Sequence, residues 1–274
     1  MTRKKAKVFR PTAFAFPYLA VTVVFVIVPI ILILVYAFTD TKGGVSFGAF
    51  KDRLADSATW LTLARSFIIA FATTAACFLL AYPTALALSS VSPSKRTILL
   101  MLFIMPIWIN SLLRLYAVRL FMTDIFNMER GFWLTLIGMV YDYFPFMLLP
   151  IYTVLADMDK GVLEVSNDLG ASPIVTFIKV RLPLSLPGIV SGVLMVFMPT
   201  VSSFAVYDIM GKDGGEGFMN GKLFGNLIYQ YFAKGGYNHG SVLALILLVL
   251  ILISTAASNL ITKGKSSTKG GTIV

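Results

Sequence analysis

Among 274 residues there is one cysteine and one histidine, and only 13% of the chain is charged. Cys77 has no second thiol to pair with and lies inside an apolar run, where a small packing residue is expected. His239 has no Cys or His neighbours in sequence that would complete a metal site, so no metal ligands are expected. The patterns H-E-x-x-H and G-x-S-x-G are missing, as are carboxylate pairs within the apolar stretches. These gaps argue against a metalloprotease, a serine hydrolase or an intramembrane enzyme. A phosphate-binding loop, G-x-x-x-x-G-K-[ST], is also lacking. Its nearest approach, Gly217-Phe-Met-Asn-Gly-Lys-Leu223, has the wrong spacing and no hydroxyl.

Apolar residues fill the space that charge leaves. They make up 57% of the chain, and the mean hydropathy is +0.84. Soluble domains carry about 25% charged residues, so this surplus of apolar surface needs lipid as solvent. Stretches of about 20 apolar residues predict six membrane spans. They run over Phe14–Phe38, Phe67–Leu88, Ile98–Met122, Phe132–Leu155, Leu184–Tyr207 and Val242–Ile261. The expected fold class is all-α, a polytopic helix bundle forming one membrane domain over 1–274. The first span follows Arg3, Lys4, Lys5, Lys7 and Arg10, yet it is longer than the 7–15 residues of a cleavable signal. It reads as an uncleaved span.

An even number of spans puts both termini on one side. With the N-terminus in the cytoplasm, thirteen of the 23 Lys and Arg residues lie in inner segments and eight in outer loops. That bias orients the chain with both ends inside. The net charge of +10 is then explained by anionic lipid rather than nucleic acid. The basic residues are spread over four separate inner segments and form no continuous face with interleaved aromatics.

The exceptions within the spans point towards function. Seven prolines lie in or beside them (Pro29, Pro83, Pro106, Pro145, Pro150, Pro187 and Pro199), each removing a helical hydrogen bond. Asp142 sits between Tyr141 and Tyr143, and Asp208 follows Tyr207. A carboxylate in hydrocarbon costs roughly 2.5–3.5 kcal/mol on insertion scales, so each should face a partner or water. An acid in an aromatic wall suits an alkylammonium; pairing of Asp142 with an arginine, or a headgroup position for either acid, is the alternative. Trp108, Asn110 and Tyr116 join these as pathway candidates. Arg114 and Arg119 interrupt the third span, and Gly188 and Gly192 form a G-x-x-x-G that permits close helix approach.

Between the fourth and fifth spans, residues 156–183 predict a cytoplasmic helix–turn–helix. Asp159 is a suitable N-cap for a helix from Lys160 to Leu169, and Gly170 suits a left-handed stop. Ser172-Pro173 restarts a helix to about Lys179, which Leu182-Pro183 is expected to end. Here the sequence resembles the EAA loop of ABC-importer permeases: E-A-A, three residues, Gly, nine residues, I-x-L-P. Glu164, Gly170 and Val180-Arg-Leu-Pro183 keep both spacings, while Val165 and Ser166 replace the alanines and Val180 the isoleucine. Met105-Pro-Ile-Trp-Ile-Asn-Ser-Leu-Leu-Arg-Leu-Tyr116, Leu149-Pro-Ile-Tyr152, Asp168-Leu-Gly-Ala-Ser172 and Tyr207-Asp-Ile-Met-Gly211 further resemble spermidine/putrescine permeases of the PotB type.

That resemblance implies the type I ABC-importer permease fold and a transport subunit that is not an enzyme. It implies a second, PotC-type permease, a PotA-type ATPase homodimer and an extracytoplasmic PotD-type polyamine-binding protein as partners, in a bacterial cytoplasmic membrane. ATP and Mg would bind the ATPase, and this chain would hold no cofactor. Glu164, Val165, Ser166, Asp168, Gly170, Ala171, Leu182 and Pro183 would form the ATPase-coupling loop. Asp142 departs from the family pattern and ranks below Asp208. A permease for another solute, or a stand-alone secondary carrier, remains the alternative; the Tyr-Asp pairs favour a cation, and two similar halves with matching broken helices are not evident.

Overall fold

A computed structural model of the chain describes residues 12–40, 43–212, 214 and 218–266. The basic N-terminal cluster expected on the inner side lies outside the described residues. Helix α1 (Pro17–Ala37) is followed by the short α2 (Gly48–Ala55) and the 34-residue α3 (Ser57–Ser90). Then come α4 (Pro93–Ile104), α5 (Ser111–Phe126), α6 (Phe132–Ala156) and α7 (Lys160–Asp168). The chain continues through α8 (Pro173–Ser202), α9 (Ala205–Met210), α10 (Phe224–Ala233) and α11 (Tyr237–Ser266). Among the described residues, α1, α3, α6, α8 and α11 are each long and apolar enough to cross a membrane. Helices α4 and α5 make a sixth span when taken as one bent pair.

The third span is therefore not the straight helix expected over Ile98–Met122. Its two limbs meet at 101°. Pro106 lies in a 3-10 turn, Met105–Trp108, because proline has no N–H to continue the α-helical ladder. Asn110 then starts α5 afresh, its side-chain oxygen accepting from Leu112 N at 2.9 Å. The fifth span likewise stops short of Tyr207. Helix α8 ends at Ser202, Ser203 is extended, and α9 carries residues 205–210.

Two other prolines are absorbed without a break. Each follows a π-helical turn, Val23–Ile27 before Val28-Pro29 and Phe177–Arg181 before Leu182-Pro183. Val28 N donates to Val23 O and Leu182 N to Phe177 O, both five residues back. The wider turn makes room for a ring that would clash with an α-helical carbonyl. The expected stop at Leu182-Pro183 is thus replaced by continuous helix from the 173–181 segment into the span.

The centre is a three-helix packing of α3, α6 and α8, with Cys77, Ala81, Ala85, Met147, Leu148, Ile151 and Val196 fully buried. Small residues set how close these helices come. A Cβ on Gly188 would meet Pro150 O of α6 at 2.6 Å and Ile151 Cα at 3.2 Å; one on Gly192 would meet the Met147 sulfur at 2.8 Å. The G-x-x-x-G is therefore an intrachain contact. Helix α1 packs on α11, with the rest of its surface apolar and exposed as lipid contact requires.

Rigid backbone is the nearest contact at Gly188, at 2.6 Å, whereas at Gly192 the nearest is a flexible thioether and backbone stays 3.2 Å away, so the two positions should differ. Gly188→Ala is expected to destabilise the chain by about 1–3 kcal/mol and Gly192→Ala by less. Loss of monodisperse protein on heating in detergent measures both, and equal heat resistance of Gly188→Ala and the unsubstituted chain would contradict the close approach.

Candidate functional site

The segment 160–181 is a helix–turn–helix attached directly to a span. Asp159 caps α7, its carboxylate accepting from Gly161 N at 2.9 Å. Helix α7 stops where Gly170 takes φ 75°, a conformation that an L side chain resists, and Ala171 N closes the corner on Ser166 O at 3.2 Å. Ser172 Oγ then accepts from Val175 N at 3.4 Å, and Pro173 opens α8. Glu164, Asp168 and Pro183 are exposed, Ala171 is half-buried, and Leu182 packs on the central core.

The two departures from the alanine pattern point in different directions. Val165 is 57% exposed and joins Val162, Leu169 and Ile174 in an apolar surface without internal cover. Ser166 instead turns inwards, its hydroxyl 3.0 Å from that of the buried Thr176. This hydroxyl pair ties α7 to the first turn of α8. An alanine at 166 would leave the Thr176 hydroxyl without this partner.

The pathway candidates fall into two polar clusters. In the first, Arg114 Nη2 of α5 and Asp142 Oδ1 of α6 form an ion pair at 2.6 Å, with side-chain exposures of only 7% and 13%. The guanidinium also lies 5.8 Å from the ring centroid of Tyr141. Asp142 therefore has the arginine partner considered from sequence. Arg114 Nε and Nη1 are buried with no hydrogen bond, as is Arg119 Nε, whose guanidinium lies beside the half-exposed Tyr116. Trp108, 86% exposed, stands on the turn of the broken third span, and Asn110 is spent on capping α5. Tyr143 packs between two core clusters.

The second cluster surrounds the break between α8 and α9. Tyr207 is buried and donates to Lys212 O at 2.9 Å, so it lines no open surface. The Asp208 carboxylate accepts from Asn226 Nδ2, and that amide also donates to Phe204 O at 2.9 Å. Arg130 Nη2 donates to Asp208 O at 2.9 Å. Asn226 and its neighbour Gly225 belong to α10, a helix not foreseen from sequence. Only a glycine at 225 lets that helix press against the carbonyls of Ser202 and Ser203. Phe204 and Tyr229 stack at 4.9 Å and 7° beside it. Asn226 and Gln230 inside the mainly apolar 224–233 stretch were the available signal, since a run this short cannot span a membrane.

The family model of the binding-protein-dependent transport system inner membrane component matches residues 78–266. Spermidine/putrescine transport system permease protein PotB of Escherichia coli (strain K12) is 33% identical over 268 residues, covering 88% of this chain and 95% of that protein. PotB of Haemophilus influenzae (strain ATCC 51907 / DSM 11121 / KW20 / Rd) is 32% identical over 259 residues, covering 84% and 86%. PotC of Shigella flexneri is 27% identical over 260 residues, covering 90% and 92%. Among solved structures, a bacterial alginate ABC transporter in complex with an alginate pentasaccharide-bound periplasmic protein superposes with a TM-score of 0.74. It is 13% identical and covers 95% of this chain and 96% of its counterpart, a likeness of fold. The MetNI methionine ABC transporter, in inward-facing conformations, gives a TM-score of 0.55 at 22% identity, covering 75% and 93%. The fold is that of a type I ABC-importer permease, and the chain belongs to the family of binding-protein-dependent transport system inner membrane components, grouping there with the PotB permease proteins.

Proposed function

We propose that this chain is the membrane-spanning permease subunit of an ATP-driven polyamine importer and forms half of a translocation pathway for spermidine or putrescine. The observation that carries the substrate class is the similarity to PotB proteins at 32–33% identity over 84–88% of this chain. The partners are a second permease of the PotC type, an ATPase homodimer of the PotA type and an extracytoplasmic binding protein of the PotD type. ATP and Mg bind the ATPase, and this chain holds no cofactor. Both termini face the cytoplasm, which puts the 160–181 element on the side where ATP is available.

In this arrangement the exposed face of α7 and the Gly170 corner seat the ATPase. Val165, Leu169 and Ile174 supply apolar contact, and Glu164 and Asp168 supply charge at its edge. ATP binding draws the two ATPase subunits together and favours one arrangement of the spans, because the nucleotide has different affinity for the two states. The polyamine meets carboxylate and aromatic groups on the way. Asp208 is the carboxylate assigned to the pathway, beside the stacked Phe204 and Tyr229. Asp142 is assigned to holding α5 against α6 through Arg114.

Three measurements follow from these assignments. Glu164→Ala and Gly170→Pro are expected to reduce co-purification of the ATPase while the chain still inserts; full retention by both would remove the loop from the docking site. Asp208→Asn is expected to lower spermidine uptake into proteoliposomes more than it lowers assembly, and unchanged uptake kinetics would take Asp208 out of the pathway. Asp142→Asn strands a buried guanidinium and is expected to cost about 3 kcal/mol of stability. Arg114→Met combined with Asp142→Leu removes both charges and is expected to recover most of that loss. Heat resistance in detergent compares the two, and an equally unstable double variant would show that the pair is not the source.

A further inference from the structure

Two π-helical turns occur among the described residues, and they are not equivalent. Val23–Ile27 is exposed along its whole length, as expected of a helix that merely makes room for Pro29 in lipid. Phe177–Arg181 joins the helix–turn–helix to the fifth span and is clamped on both sides. On the near side, Thr176, 5% exposed, holds Ser166 at 3.0 Å and so fixes α7 to the residue immediately before the turn. At the turn itself, the Phe177 ring meets Tyr82 of α3 edge-on, with centroids 5.6 Å apart and planes at 89°. On the far side, the Tyr82 hydroxyl lies 3.0 Å from Ser185 Oγ of α8. Ser185 is fully buried and donates onward to Leu182 O at 3.0 Å, so the tyrosine is the donor to Ser185.

One tyrosine from a neighbouring span thus touches the first residue of the wide turn and the first helical turn after it. A wide turn has a spare residue in its ring, so it can change local twist while the helix on either side keeps its hydrogen bonds. Converting it to α-helical winding would rotate one side against the other by about 100°, the advance of one residue. Left unclamped, such a turn would absorb a push on α7 instead of passing it on. Four hydroxyls, in two pairs, and an edge-on ring hold it in one state.

We propose that Phe177–Arg181 is the joint through which movement of the 160–181 element reaches the fifth span, and that Thr176, Tyr82 and Ser185 are positioning residues that keep it stiff. This rests on the docking role assigned to α7, though not on the identity of the transported solute.

The test uses the whole complex in proteoliposomes: this chain, its second permease, the ATPase and the binding protein. The readouts are ATP hydrolysis stimulated by loaded binding protein, per assembled complex, and radiolabelled spermidine taken up per ATP. Tyr82→Phe and Thr176→Val preserve shape and remove one hydroxyl each. Each is expected to cut stimulation and uptake per ATP by about three- to tenfold, the scale of one buried hydrogen bond. Co-purified ATPase, unstimulated hydrolysis and the KM for ATP should stay at the values of the unsubstituted complex. Thr176→Ser should behave as the unsubstituted chain. Ser185→Ala also gives up the bond to Leu182 O, so it should lose at least as much as Tyr82→Phe, and their combination should be no worse than Ser185→Ala alone, because the bond between the two side chains is already gone.

Unchanged stimulation in both Tyr82→Phe and Thr176→Val would overturn the joint. So would a loss that merely tracks the amount of assembled complex, since that marks a folding contact. If the unsubstituted complex responds to binding protein yet takes up no spermidine, the polyamine reading fails and stimulation alone decides on the joint. If the unsubstituted chain retains no ATPase, the docking role fails and the joint fails with it.

Discussion

Hydrocarbon offers no water to backbone groups, so each interruption of a helix has to be repaired by protein, and the architecture follows from where those repairs are made. Proline supplies most of the interruptions. At Pro29 and Pro183 a π turn accommodates the ring and the helix runs on. At Pro106 the ladder ends in a 3-10 turn, and Asn110 caps the restart. After Ser202 the ladder ends altogether, and α10 is pressed against the gap, with Gly225 giving room and Asn226 donating to the Phe204 carbonyl. The bends are thus sites where the chain brings polar side chains into an apolar bundle, each with a backbone reason for being there.

Charge in the bundle obeys the same rule. A lone carboxylate at Asp142 or a lone guanidinium at Arg114 would each be expensive in lipid; the 2.6 Å pair offsets part of that cost by mutual attraction. The pair joins the second limb of the broken third span to the fourth. Helix α5 begins at a cap rather than continuing α4, and this contact helps fix its direction. At the exposed Asp208 the contacts differ in kind: Asn226 donates to the carboxylate and Arg130 to the main-chain carbonyl, tying α10 and the 127–131 loop to α9. Asp208 thereby has neighbours drawn from two other segments of the chain.

Much of this was legible before any coordinates. Apolar runs identified the spans because a 20-residue stretch without charge has few other uses. The Asp159 cap, the Gly170 corner and the Ser172-Pro173 restart were readable because each depends on one or two adjacent residues. What escaped depends on residues far apart. Nothing near Asp142 in sequence announces that Arg114 faces it, and the 101° bend needs Pro106 and Asn110 to act together. Leu182-Pro183 looked like a stop because proline usually ends a helix, whereas a wide turn can carry a helix past one. Helix α10 was missed because 224–233 is too short for a span and too apolar for an ordinary loop. Its place is set by the gap it covers.

The continuity of α8 has a mechanical consequence. Had the helix stopped at Leu182-Pro183, the 160–181 element would hang from the span by a flexible link, and a displacement of α7 would be spent on loop rearrangement. A single helical path from Pro173 to Ser202 instead carries rotation as well as translation into the centre of the bundle, where Gly188 touches the backbone of α6. Backbone contact without an intervening side chain leaves little compliance there, because close-packed atoms transmit strain rather than absorb it. The path ends at Ser203, the break around which Asp208, Asn226 and Phe204 gather. A turn of α8 about its axis would therefore move the Ser202 and Ser203 carbonyls against Gly225 and the Phe204 carbonyl against Asn226. On the proposed reading, that places the assigned pathway carboxylate at the far end of the same helix that carries the ATPase-docking corner.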